Sequence, residues 1–297
     1  MVAASQPWRF LAALGLALSA GCASLPPPAV SLDQVLQEDG ARVLWVGAHP
    51  DDESLAGPIL ARACRDQKRP CTLLVMNHGD GGECLRWPNC HPGLATVRGE
   101  EEAEVARRYH AKLIHLYHFN APLPFDSFPR REALAARWIR EGDPTITVAE
   151  VIRDFRPTVL LTFDPEGGFT HHPEHQLASR FAMAGAALAG AQDSRLKGAP
   201  YTVPHAYEIL NHYWPSVISF RADPGEPTEV FDTHVPCGSP GRTCLDVALR
   251  ITHAHQTQAR DMRTIRLLRP QMGYLYVRAV TPAEETKRVP PTEPERR

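Results

Sequence analysis

An apolar run, Arg42-Val43-Leu44-Trp45-Val46, stops abruptly at the polar segment Gly47-Ala48-His49-Pro50-Asp51-Asp52-Glu53. The run has the length and composition of a buried strand. The polar segment therefore sits at the carboxyl end of a strand, which in an open α/β sheet is the edge where ligands bind. His49 and Asp52 stand three positions apart on a turn and reach one metal ion together. Asp51 between them is left to handle a proton. One short loop thus supplies two ligands and a base.

The rest of the chain repeats the alternation of strand and helix. Further strands are expected at Cys71–Met76, Lys112–Tyr117, Thr158–Phe163 and Tyr207–Asn211, and helices at Glu53–Arg65, Thr96–Tyr109, Arg130–Arg140, Thr147–Phe155 and Cys244–Thr257. Another helix begins at Pro173, a residue suited to a first helical turn, and runs to about Ala191. This order predicts an α/β protein, a Rossmann-like, mostly parallel sheet with helices on both faces. Residues 23–38 read as a linker, residues 39–280 as one catalytic domain, and the Pro- and charge-rich segment 281–297 as a disordered tail.

Charge and cysteine usage narrow the setting. With 32 Lys+Arg against 34 Asp+Glu there is no basic surplus, which counts against a nucleic-acid partner. Residues 1–22 read as an export signal: Arg9 closes a short positive region, Phe10 to Ala20 is apolar, and Leu18-Ser19-Ala20-Gly21-Cys22 resembles a bacterial lipobox. On that reading Cys22 carries a lipid, the protein faces the periplasm or exterior of a bacterial envelope, and the lipid is its one link to a membrane. The six remaining cysteines suit an exported protein. Local closure would join Cys64 to Cys71, Cys84 to Cys90, and Cys237 to Cys244, and no Cys-x-x-Cys suggests a thiolate metal site.

A second cluster, Thr170-His171-His172-Pro173-Glu174-His175, also follows a strand and should lie at the same sheet edge as His49. His172 and His175 fall on one face of the helix start. Hydrolytic zinc sites use about three protein ligands from His and carboxylates and keep a position open for water. His49, Asp52 and one His of this segment meet that count. Iron is compatible with the same ligands.

The two motifs, Ala48-His49-Pro50-Asp51-Asp52-Glu53 and His172-Pro173-Glu174-His175, resemble those of the LmbE-like, or PIG-L, de-N-acetylase family. The resemblance implies an LmbE-like fold, a small-molecule or glycan substrate, and one zinc held by His49, Asp52 and His175. It implies Asp51 as general base and His172 as the group that stabilises the tetrahedral intermediate and assists amine departure. Weaker matches follow in order. Asn77–Glu83 is similar to a Gly-containing loop, Arg98-Gly99-Glu100-Glu101 to a helix start whose Arg faces substrate, and His255-Gln256-Thr257-Gln258 to a C-terminal His-x-Thr-Gln element. His78, Asp80, Asp164 and His255 are candidates for the shell around the ligands. The chain departs from the pattern at Glu174, where Asp is usual, and at Asn120, where a substrate-contacting Asp is common.

The implied activity is zinc-dependent removal of an acyl group, acetyl above all, from the amide nitrogen of an N-acetylglucosamine-type sugar. Two other readings compete. A catalytically silent glycan-binding lipoprotein would keep the fold without turnover. A non-haem iron oxygenase would use His49-Pro50-Asp51 and a distant His as its triad, generally on a barrel-like fold. The loops near 83–95, 120–130 and 212–242 carry no pattern that selects acyl group, sugar or aglycone, and the oligomeric state stays open.

Overall fold

Residues 30–85, 89–213 and 224–292 are described by a computed structural model. The strands are β1 (Val43–Gly47), β2 (Cys71–Val75), β3 (Lys112–His115), β4 (Val159–Phe163), β5 (His205–Leu210), β6 (Glu229–Asp232) and β7 (Tyr274–Val280). They form one sheet in the order β3-β2-β1-β4-β5-β7-β6. The first five run parallel, and β7 pairs antiparallel with both β5 and β6. The five expected strands are present within a few residues. Neither the edge strand β6 nor its neighbour β7 announces itself in the sequence, because half-exposed strands need no continuous apolar run.

β1 is buried along its whole length, and its residues alternate between two cores. Val43 and Trp45 pack with α1 (Leu32–Gln37), α2 (Gly57–Leu60), α3 (Leu94–Tyr109) and α8 (Cys244–Ile251). Leu44 and Val46 pack with α4 (Arg131–Gly142), α5 (Pro144–Phe155) and α7 (Pro173–Gly190). Helices therefore cover both faces, as expected. From β1 the chain fills the sheet outward through β2 and β3. It then returns to lay β4 on the other side of β1. The connections diverge at that boundary and open a crevice at the carboxyl ends of β1 and β4. Both His-bearing motifs lie there: 48–53 follows β1, and a short helix α6 (Gly168–His171) leads from β4 into α7.

Several expectations fail for local reasons. Residues 31–38 are not linker. Ser31 and Gln34 form a capping box on α1, and Leu32, Val35 and Leu36 on one stripe are fully buried. The tail is folded as far as residue 292: α10 (Pro282–Arg288) packs on α7, Arg288 pairs with Glu285 and Glu166, and Arg180 Nη1 donates to Pro290 O at 3.1 Å. The helix expected over Glu53–Arg65 is broken into a 3-10 turn (Asp52–Leu55), α2 and a π turn (Ala61–Asp66). The one expected over Cys244–Thr257 ends at Ile251, and α9 (Ala259–Leu267) was not anticipated.

Cys64–Cys71 and Cys84–Cys90 are disulfides, but Cys237 and Cys244 are free, buried thiols. The bridge expected between these last two is therefore absent. The two thiols are nevertheless close enough to hydrogen-bond to each other. Among the described residues no helix is long and apolar enough to cross a membrane. The signal, the lipobox and Cys22 lie outside the described residues.

Candidate active site and metal centre

The turn after β1 is built around one carboxylate. Asp52 Oδ2 accepts from the backbone N–H groups of Ala48 at 2.8 Å and His49 at 3.0 Å. That bond pair fixes the rotamer and leaves Oδ1 facing outward. Gly47 is needed for it: a Cβ there would stand 3.1 Å from Asp52 Cβ and 2.9 Å from Trp45 Nε1. Asp51 adopts a left-handed conformation, φ 105°, which Asp tolerates better than most residues. Its N–H donates to Glu53 Oε2 at 3.0 Å, so Glu53 holds the strained turn.

The turn after β4 places the second cluster. Asp164 Oδ1 accepts from Gly167 N at 2.5 Å and Glu166 N at 3.2 Å, closing the loop. His172 is the N-cap of α7, and its Nδ1 accepts from Glu174 N at 3.2 Å. One turn further, His175 Nδ1 donates to Gly168 O at 2.9 Å.

Three donor atoms converge between the turns. His175 Nε2 lies 3.0 Å from His49 Nδ1 and 3.0 Å from Asp52 Oδ1, and His49 Nδ1 lies 3.7 Å from Asp52 Oδ1. Ligands on a tetrahedral zinc with bonds near 2.1 Å stand about 3.4 Å apart, so the spacing fits a cation. The outer nitrogens fit too. Nδ1 of His175 is held by a carbonyl, and Nε2 of His49 donates to Glu174 Oε2 at 2.7 Å, so each ring presents its other nitrogen inward.

His172 also has a ring nitrogen within 4.8 Å of those of His49 and His175. Its role differs. Burial and the neighbouring His49 and His175 push its pKa down, so the ring is neutral. With Nδ1 accepting, the hydrogen belongs on Nε2, which offers the site a donor and no lone pair.

Electrostatics separate the two aspartates. Burial raises Asp51 to about 6, against the lowering effect of Arg98. Asp52 is also penalised by burial, but His175 and His49 hold it well below the usual carboxylate range. One carboxylate thus stays ionised and available to a cation, and the other is poised to take a proton near neutrality. For His49, burial lowers the pKa, but Asp52 and Glu174 outweigh it and raise it to about 10. The inward Nδ1 thus carries a proton that a cation displaces.

Two residues expected to contact substrate have partners within the chain. Arg98 is 5% exposed and faces inward: Nη1 donates to Gly79 O at 2.9 Å, and Nη2 donates to Pro50 O and to Asp51 Oδ2 at 2.9 Å. It clamps Asp51. Asn120 is equally occupied. Its Nδ2 donates to Glu174 Oε2 at 2.7 Å, and its Oδ1 accepts from Gly81 N at 2.6 Å.

Of the surrounding candidates, His255 joins the site at one remove: Nε2 donates to Glu53 Oε1 at 2.9 Å. Asp164 shapes the loop. His78 stacks between His115 and Tyr117 and bonds Ala95 O, and Asp80 is exposed, so the structure does not bring these two to the ligands.

The residue most clearly missed is Glu174. It is fully buried, and it accepts from His49, Asn77 and Asn120 on Oε2 and from Ala121 N on Oε1. The only signal was its place between two histidines.

The comparisons with known proteins meet this geometry. The family description "PIG-L: GlcNAc-PI de-N-acetylase" matches residues 44–186, a span that begins in β1 and ends in α7. The 1D-myo-inositol 2-acetamido-2-deoxy-alpha-D-glucopyranoside deacetylase of Thermobifida fusca is 31% identical over 64% of this chain and 71% of its own length. The chain belongs to the PIG-L family. It spans between 58% and 71% of the length of the first three such relatives.

Among solved structures, N,N'-diacetylchitobiose deacetylase from Pyrococcus horikoshii superposes with a TM-score of 0.56 at 17% identity, covering 85% of this chain and 91% of that one. GalB, a 4-carboxy-2-hydroxymuconate hydratase from Pseudomonas putida, does so at 0.56 and 17%, covering 81% and 96%. A hydratase and a deacetylase on one fold show that the fold alone does not choose the reaction.

Family membership also makes sense of the two departures. In this PIG-L chain the unusual Glu174 and the unusual Asn120 touch each other. An Asp at 120 would set a second carboxylate against Glu174 in a buried site, whereas Asn supplies a hydrogen-bond donor.

Proposed function

We propose that this PIG-L protein is a zinc-dependent deacetylase that releases acetate from the amide nitrogen of an N-acetylglucosamine-type sugar. The observation that carries the reading is the convergence of His49 Nδ1, Asp52 Oδ1 and His175 Nε2 beside an Asp of raised pKa. His49, Asp52 and His175 would hold the zinc, which supplies Lewis acidity toward water and the amide carbonyl when bound.

The remaining steps belong to the chain's own groups. Asp51 takes a proton from the attacking water as the new C–O bond forms. Nε2–H of His172 faces the charge that develops on the carbonyl oxygen. As the C–N bond breaks, the departing nitrogen gains a proton, delivered from Asp51 or through His172. Glu53 and Arg98 fix Asp51 from the backbone side and the carboxylate side.

The oxygenase reading loses its ground, since the sheet is open and mostly parallel. Against the silent binder stands Asp51, with its raised pKa, beside the convergence of His49, Asp52 and His175.

The reading extends to location. We read residues 1–22 as an export signal with Cys22 lipidated, so that the substrate is met in the cell envelope. The disulfides Cys64–Cys71 and Cys84–Cys90 support this.

The test is incubation with N-acetylglucosamine derivatives, following acetate and primary amine together. Equal release that stops with a chelator and returns with zinc is expected. No amine from any N-acetylated sugar, with zinc supplied, overturns the proposal.

The acid limb of activity checks the base. Hydrolysis requires ionised Asp51, so the rate should fall about tenfold for each pH unit below about 6. Arg98 lowers the Asp51 pKa, so Arg98→Gln should carry the limb to higher pH. A limb that stays in place in that variant contradicts the assignment.

A further inference from the structure

One buried stripe of α3 carries Arg98, Glu102, Val105 and Tyr109 at helical spacing. Arg98 holds the Asp51 carboxylate. Glu102, one turn on, is fully buried, and neither of its carboxyl oxygens accepts from an N–H or O–H among the described residues. An ionised carboxylate left in that state is strongly disfavoured.

Glu102 faces Glu53 and His255, and one atom from each of the three lies within 4.8 Å of the others. The imidazole serves Glu53 first: His255 Nε2 is 2.9 Å from Glu53 Oε1 and 3.9 Å from Glu102 Oε2. Glu53 has further donors, Ser54 Oγ on Oε1 and Asp51 N on Oε2, each at 3.0 Å. Two buried carboxyls side by side do not both ionise. The proton belongs to the one that lacks donors. Burial, then Glu53, Asp51 and Asp52, push the Glu102 pKa well above the carboxylate range, and the buried Tyr109 faces both carboxyls.

We propose that Glu102 is a positioning residue: as a neutral carboxylic acid it donates a hydrogen bond to Glu53 and keeps the Glu53 carboxylate aimed at the N–H of Asp51. The proposal rests on the deacetylase reading, in which Asp51 is the base. One face of α3 then holds the base from two sides, Arg98 at the carboxylate and Glu102 through Glu53 at the backbone. The backbone side is where the hold is needed, because Asp51 stands at φ 105°. Glu102 itself touches neither substrate nor metal ligand.

The experiment compares Glu102→Gln and Glu102→Leu with wild type, as whole zinc-loaded chains, on an N-acetylated sugar. Gln keeps a donor toward Glu53, and Leu fills similar space without one. Leu should lower kcat about tenfold through a displaced base, with KM and zinc content unchanged, and Gln should stay within about threefold of wild type. Wild-type kcat in the Leu variant overturns the positioning role. A Gln variant as slow as Leu overturns the neutral donor, and so does a divalent cation bound beyond the zinc site and lost in Glu102→Gln, which would make the cluster a metal site. Denaturant titrations across pH read the proton without turnover. Folded Glu102 keeps its proton where the unfolded side chain releases it, so its contribution is complete below the ordinary pKa of 4.5 and shrinks as pH rises. Above about pH 5 the unfolding constant of wild type relative to Glu102→Gln should therefore grow about tenfold per pH unit. A ratio that does not change with pH overturns the neutral donor. Absence of amine release by wild type overturns the deacetylase reading and the positioning role with it, while the pH comparison still decides the hydrogen bond.

Discussion

Asp51→Asn is expected to lower kcat for amide hydrolysis by about 10² to 10⁴, the range that positioned proton transfer contributes. The substitution is nearly isosteric. Asn tolerates the left-handed backbone at this position and can still accept from Arg98 Nη2. Zinc content should be unchanged, because the three inward donors are His49, Asp52 and His175. KM should change little, since what is lost is a proton acceptor and not a contact with the sugar. Rates on a suitable N-acetylated sugar, with metal analysis on the same samples, check both halves. Full activity in Asp51→Asn would remove Asp51 as the base.

The second large effect is expected at a residue that touches neither water nor substrate. Glu174→Gln should weaken zinc binding by about 10- to 100-fold, the usual consequence of losing a carboxylate behind a ligating His. The Glu174 carboxylate receives four donors: His49 Nε2, Asn77 Nδ2, Asn120 Nδ2 and Ala121 N. A glutamine offers one acceptor oxygen and turns an NH₂ group toward the remaining donors. His49 loses the partner that keeps its hydrogen on Nε2, so Nδ1 is no longer reserved for the cation. Buried donors are left unmatched, and stability should fall by on the order of 3 kcal/mol. Competition with a metal-sensitive dye and a denaturant titration read the two effects separately. Unchanged affinity with reduced stability would make Glu174 a packing residue only.

Much of this was legible because burial and chemistry leave different marks. β1 is covered on both faces, so it reads as an unbroken apolar run, and the polar residues after it can only be an edge loop. The same logic placed the motif after β4. Pro173 marked the start of α7, and with it the cap position of His172. The edge strand β6 and its neighbour β7 were hidden because each keeps exposed positions. α1 had a readable signal in Ser31-x-x-Gln34 and the i, i+3, i+4 spacing of Leu32, Val35 and Leu36. Side-chain direction is where sequence fell short. Arg98 and Asn120 were placed in the right neighbourhood, but their partners Asp51 and Glu174 were not legible. Whether a long side chain turns to substrate or to a buried carboxylate depends on atoms brought in from other elements. Glu174 and Asn120 illustrate this: each looks like a loss from the motif, and only their contact shows why they occur together.

The most direct test of the central claim is zinc per chain in protein beginning after Cys22, measured beside His175→Ala. The account predicts about one zinc per chain, with nearly all of it gone in the variant. Wild-type protein that takes up no metal when zinc is supplied, or a His175→Ala variant that binds as much as wild type, would contradict it.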